Sequence, residues 1–188
     1  MDRLCFKVMG GGNKHEMRRQ ADQHFNALSQ IVPGVKRLML FDYDDAEKAF
    51  HPPESNPAIV EWKRKNIENY LLVPTAWRRV ALRLMESSGE GSLAQAILAR
   101  IDQFFSDQNL TLAPGKTWRN VSANIFAVVD GKRILFENDD SLFHGLRQGP
   151  AQLELLRERV AAAMTADEIH DDVHRFFAKL VAMAQDQP

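Results

Sequence analysis

With 188 residues, 45% hydrophobic and 26% charged, the chain carries enough apolar material for one compact domain with a core and a helical appendage. A formal net charge of −1 excludes nucleic-acid binding through overall basicity and leaves a local basic patch as the only electrostatic route to it. The single cysteine excludes an internal disulfide and suits a reducing cytosol, and no apolar stretch reaches the roughly eighteen residues of a membrane span.

Residues 1–3 offer no signal-peptide h-region, and residues 4–9 are rich in β-compatible side chains, so they read as a strand with Cys5 packed in the core. A chain that enters a strand this early reads as the C-terminal part of a longer protein. Gly10-Gly11-Gly12-Asn13 breaks the strand, and Met17, Ala21, Phe25, Leu28 and Ile31 then recur at helical spacing through 14–31. Pro33-Gly34 stops the helix and residues 35–41 form the next strand. A strand–helix–strand unit with this crossover is parallel and right-handed. Residues 51–57 form a proline-rich exposed loop, and residues 62–72 carry Glu68 on a strand or turn.

Pro74 opens a helix through Arg78, Val80, Leu82 and Met85, which ends in the stretch 87–91. A second amphipathic helix covers 93–105, with Ala94, Ile97, Leu98, Ile101 and Phe105 on one face. Residues 109–121 are poorly patterned around a Pro114-Gly115 turn. The apolar run 125–129 then leads into Asp130-Gly131-Lys132. From 151 onward the apolar spacing gives two helices, and Thr165-Ala166-Asp167-Glu168 between them has the form of a capping signal.

Chemistry is concentrated after the second strand. Asp42 and Asp44 lie two apart at its C-terminal end, where they share a face or converge in a turn. Clustered carboxylates repel unless a cation neutralises them, which suits Mg²⁺ or Mn²⁺; acidic residues that cap a turn have the same pattern. Asp45 and Glu47 extend the acidic cluster among solvated neighbours. Glu68 follows Lys63-Arg64-Lys65, so it is either a solvated salt-bridge partner or a metal ligand beside phosphate-holding cations. Lys132 after a glycine turn is either plainly exposed or placed to neutralise a charged phosphorus transition state. Gly10-Gly11-Gly12 lacks both phosphate-loop spacings. His170 and His174 have zinc-compatible i, i+4 spacing, but no glutamate follows His170.

The order of these parts is specific: a strand, Gly10-Gly11, an amphipathic helix, an apolar strand ending in Asp42-x-Asp44, Asn66-Ile67-Glu68-Asn69-Tyr70-Leu71-Leu72, then Asp130-Gly131-Lys132. Over residues 4–136 it resembles the Toprim domain of the OLD (overcoming lysogenization defect) family of ATP-dependent nucleases. The resemblance implies an α/β fold, a Toprim-like parallel sheet flanked by helices. The domain would span 1–140 with a helical insertion at about 74–106, followed by C-terminal helices at 141–188. It implies a divalent-metal-dependent DNA endonuclease of the cytoplasm, acting in phage defence. Asp42, Asp44 and Glu68 would be metal ligands in a two-metal Mg²⁺ or Mn²⁺ site, with Glu68 and Lys132 catalytic. Partners would be DNA and an ATPase domain or subunit, with no membrane. The chain departs from the family in lacking the first Toprim strand with its glutamate and in carrying Asn66 at a position usually basic. A catalytically inactive Toprim-fold interaction module is the alternative.

Overall fold

Asn13 starts the first helix because its side-chain oxygen accepts from the His15 and Glu16 amides, two of the donors a helix N-terminus leaves unpaired. In this computed structural model, which describes residues 5–8, 12–43, 58–89 and 91–185, that helix is α1, Lys14–Ile31. Its face is the expected one: Met17, Ala21, Phe25 and Leu28 are half-buried, while Ile31 projects into solvent. Met17 and Ala21 pack on Met39, Phe41 and Ile59, the inward residues of two short strands.

Those strands are β1, Met39–Phe41, and β2, Ile59–Glu61, which pair in parallel with Met39 opposite Ile59 and Phe41 opposite Glu61. Three sequence expectations change here. The strand expected over 35–41 is confined to its last three residues. The expected strand over 4–9 is absent in its described part, where Cys5 to Val8 form no ladder; Phe6 is 80% and Val8 92% exposed. A strand needs a paired edge and a buried face, and β1 pairs with β2 instead. Cys5 is therefore exposed, not a core residue.

The rest of the described chain is mostly helical. α2, Pro74–Ser88, begins with proline at its first position and ends at Gly89, whose φ of 77° only glycine adopts without strain. α3, Ala94–Asp107, packs against α2, and three short helices follow: α4, Asn124–Val128, α5, Leu142–Arg147, and α6, Arg157–Ala163. The last is α7, Asp171–Gln185. Between α6 and α7 the expected capping residues do meet, since the Glu168 carboxylate accepts the Thr165 amide, but they close a turn and not a long helix.

One apolar cluster joins Leu72, Trp77 and Met85 to Ile101, Phe105, Leu135, Leu146, Leu155 and Val160. The helices expected as an insertion and the first of those expected as an appendage thus share a core. Trp77 is fully enclosed and its ring N–H donates to the Leu71 carbonyl, so the indole costs no lost hydrogen bond. No described helix is long and apolar enough to cross a membrane.

Candidate functional site

Two polar clusters stand where the sequence analysis directs attention. The first lies at the C-terminal ends of β1 and β2. Lys14, the first residue of α1, is buried, and its ammonium donates to the Asp42 carbonyl, to the Tyr43 carbonyl at 3.1 Å and to Glu61 Oε1 at 3.0 Å. The parallel register explains the convergence, because Phe41 and Glu61 are opposite each other and their strands end together. Asp42 is exposed at this end, as expected for a strand-delivered carboxylate. Asp44, its expected co-ligand, lies outside the described residues, as do Asp45 and Glu47.

The second cluster forms around Glu68. Leaving β2, the chain makes a 3₁₀ turn at Ile67–Leu71, so Glu68 belongs to a helical turn, not to a strand. Its carboxylate is buried and accepts from Arg157 Nε at 3.0 Å. The Arg157 guanidinium also lies over the Phe136 ring, 4.3 Å from its centroid. Lys132 stands beside this pair and is half-exposed. Its hydrogen bond to Glu137 at 2.9 Å raises its pKa first, and the nearby Glu68 carboxylate adds to the shift. Glu68 and Lys132, far apart in sequence, are near one another because their sequence neighbours, Asn69 and Gly131, touch.

Asn69 makes them so. It is fully buried, and its amide donates to the Phe126 carbonyl at 3.0 Å and the Val129 carbonyl at 2.8 Å while its oxygen accepts the Gly131 amide at 3.1 Å. A Cβ on residue 131 would sit 2.7 Å from Asn69 Oδ1 and 3.0 Å from its backbone nitrogen, so only glycine allows this approach. Immediately after it the backbone makes a π turn, Arg133–Glu137, which places Lys132 at its start. On the other side, Asp130 accepts from Asn66, from the Arg133 amide and from Lys65 at 3.1 Å. Burial pushes the Asp130 carboxyl up, and these donors outweigh it and hold the group below its ordinary range. Asn66 Oδ1 is buried with no hydrogen-bond partner among the described residues.

A third network sits behind the second. The Tyr70 hydroxyl donates to Asp172 at 2.9 Å, and Asp172 also meets Arg175 and His170. Burial pushes Asp172 up, yet its hydrogen bonds from His170 and Tyr70 win and depress it, while burial and Asp172 together raise Tyr70. His170 and His174 each meet a backbone carbonyl, of Val121 and of Ala166, at 3.2 Å. Those contacts give the two rings structural work.

No family model, curated protein or solved structure matches the chain. The site is therefore judged on its own donors. A hard divalent cation needs several oxygen ligands around one point, and among the described residues no group of three histidine, cysteine, aspartate or glutamate side chains converges. Asp42 stands at the strand ends and Glu68 is held by Arg157, so the described residues do not complete the expected metal set. Lys14, Glu61, Asn69 and Arg157 escaped the sequence reading. Only Asn69 carried a signal there, as a neighbour of Glu68.

Proposed function

We propose that the chain is an OLD-type Toprim nuclease domain, a divalent-metal-dependent DNA endonuclease that works with an ATPase domain or subunit. The observation that carries the reading is the Asn69–Gly131 contact, which brings together the segments that bear Glu68 and Lys132, the pair that the resemblance joins in function. The position of Asp42 at the end of a parallel strand, with α1 before it, supports it as well. In that role Lys132 neutralises charge that develops on the scissile phosphate, an electrostatic contribution of about 3 kcal/mol for a well-placed donor.

The inactive interaction module is the second reading, and a specific observation favours it: the Glu68 carboxylate is already engaged by Arg157. Supercoiled plasmid with Mn²⁺ separates the two. Wild type nicks it and Asp42→Ala and Glu68→Ala do not, if the nuclease reading holds. Equal nicking by all three removes the site assignment, and an inert wild type leaves the interaction module.

A further inference from the structure

α7 is attached by means that the apolar core does not share. Among the described residues, neither apolar cluster includes a side chain of this helix. Val173, Phe176, Leu180 and Met183, at helical spacing on one face, are half-buried, and Phe177 and Val181 are exposed. The buried side chain of α7 is a carboxylate, Asp172. A helix ordinarily docks by burying an apolar stripe; this one docks around a charge. The Tyr70 hydroxyl donates to Asp172 Oδ2 at 2.9 Å, and Arg175 donates to Oδ1. Phe176 lies 5.5 Å from Trp62 between ring centroids, and Trp62 lies 5.1 Å from Tyr70. The remaining ties are exposed ones, from Lys36 to the Met183 carbonyl at 3.0 Å and from Arg119 to Asp171 at 2.8 Å.

We propose that α7 is a strap fastened by Asp172, which opens as a unit while the apolar body stays folded and so uncovers Trp62 and Tyr70. Local opening draws on the segments with the least buried apolar contact, and α7 is such a segment. What it leaves behind keeps its own support. The Arg64 guanidinium lies 4.8 Å from the Tyr70 centroid and donates to the Asn69 and Val121 carbonyls, none of which belongs to α7. Tyr70 shares the turn Ile67–Leu71 with Glu68 and Asn69, and Asn69 is anchored to Phe126, Val129 and Gly131. The strap therefore opens beside Glu68 without undoing the contact that positions it. The inference goes beyond the nuclease reading and does not depend on it.

Residue-resolved amide hydrogen exchange on the full chain tests this. In wild type the α7 amides should exchange faster than those of α2 and α3. Asp172→Ala should speed α7 exchange by about 10- to 100-fold, the effect of losing a buried hydrogen bond to a charged group, and leave α2, α3 and the Asn69 amide unchanged. Tyr70→Phe keeps the ring and removes the hydroxyl, so it should speed the same amides by about 10-fold. Asp171→Asn removes an equal charge from the first turn of α7 but only an exposed ion pair, and should change exchange by less than about 5-fold. Equal wild-type protection of α7 and the body overturns the proposal. So does an Asp172→Ala or Tyr70→Phe effect spread evenly over α2, α3 and α7, which would make the chain one cooperative unit. Acceleration of the Asn69 amide together with α7 overturns it too, as does an Asp171→Asn effect as large as that of Asp172→Ala.

Discussion

The region built from α1, β1 and β2 and the helical body solve stability differently. The body encloses Trp77, Phe105, Leu135 and Val160 in one continuous apolar cluster, and its helices cover each other. Among its described residues the strand region buries Met39, Phe41 and Ile59 beneath a half-buried helix, a thin apolar layer. It relies on polar anchors: Lys14 at the strand ends and Arg37 stacked 4.6 Å from the Phe25 centroid. A thin layer with a charged clamp can hold a loop in place while remaining easy to rearrange. A thick apolar core cannot. Position and rigidity are thus divided between the two regions, and the Asn69 contact is the device by which the body lends rigidity to Glu68 and Lys132.

The sharpest way to break that contrast is in the body. Trp77→Ala should cost about 3–5 kcal/mol in urea unfolding, because it leaves a large cavity and removes one of the two hydrogen bonds that the Leu71 carbonyl accepts. Met39→Ala in the strand region should cost about 2 kcal/mol, since that thin layer collapses more readily. Equal losses would show that the regions are not energetically distinct. Gly131→Ala comes next, at about 1–3 kcal/mol, because the added Cβ must push Asn69 aside. The same change should lower plasmid nicking by moving Lys132 away from Glu68. A fully active, undamaged variant would remove the claim that this contact positions them.

The pH dependence of unfolding probes the network behind the site. The folded-state pKa of Asp172 lies below its ordinary 3.8, so its stabilisation is complete above that value and disappears as pH falls through the folded pKa. Asp172→Asn should flatten the acid limb of the stability curve below about pH 4. Tyr70 is raised above its ordinary 10.0, so its contribution is complete below that pH and is lost at higher pH. Tyr70→Phe should flatten the alkaline limb. The smallest effect on stability is expected for Lys132→Ala, within about 0.5 kcal/mol, because its ion pair with Glu137 is solvated. Under the nuclease reading the same variant loses nicking by about 100-fold. A proportionate loss of both would make Lys132 structural.

The sequence was most legible where one physical rule acts alone. The α1 face at Met17, Ala21, Phe25 and Leu28 followed from helical spacing, whereas Asn13, read only as part of a strand break, proved to be the cap of that helix. The neighbourhood of Glu68 and Lys132 was legible only through the order of motifs, because the bonds that create it run from an amide side chain to backbone groups, which any sequence supplies. The strand over 4–9 failed because β propensity describes a half-buried, paired surface, and Phe6 and Val8 are neither. β2 was hidden by its length, three residues after a proline-rich loop. Glu61 and Lys14 were invisible for a related reason: the packing of α1 on the paired strands brings them together, and that packing is not written in either segment.

The closing helix adds a consequence in time. Tyr70 is bonded to Asp172, 102 residues later, and Lys36 donates to the Met183 carbonyl, 147 residues later, while Phe176 stacks on Trp62. A ribosome makes these partners after the segments they bind. The body can condense as soon as α6 emerges, but the strand region waits, without its fastening, until α7 is free of the exit tunnel. For that interval of synthesis, on the order of seconds for a hundred residues, Asp42 is carried on an unfastened platform.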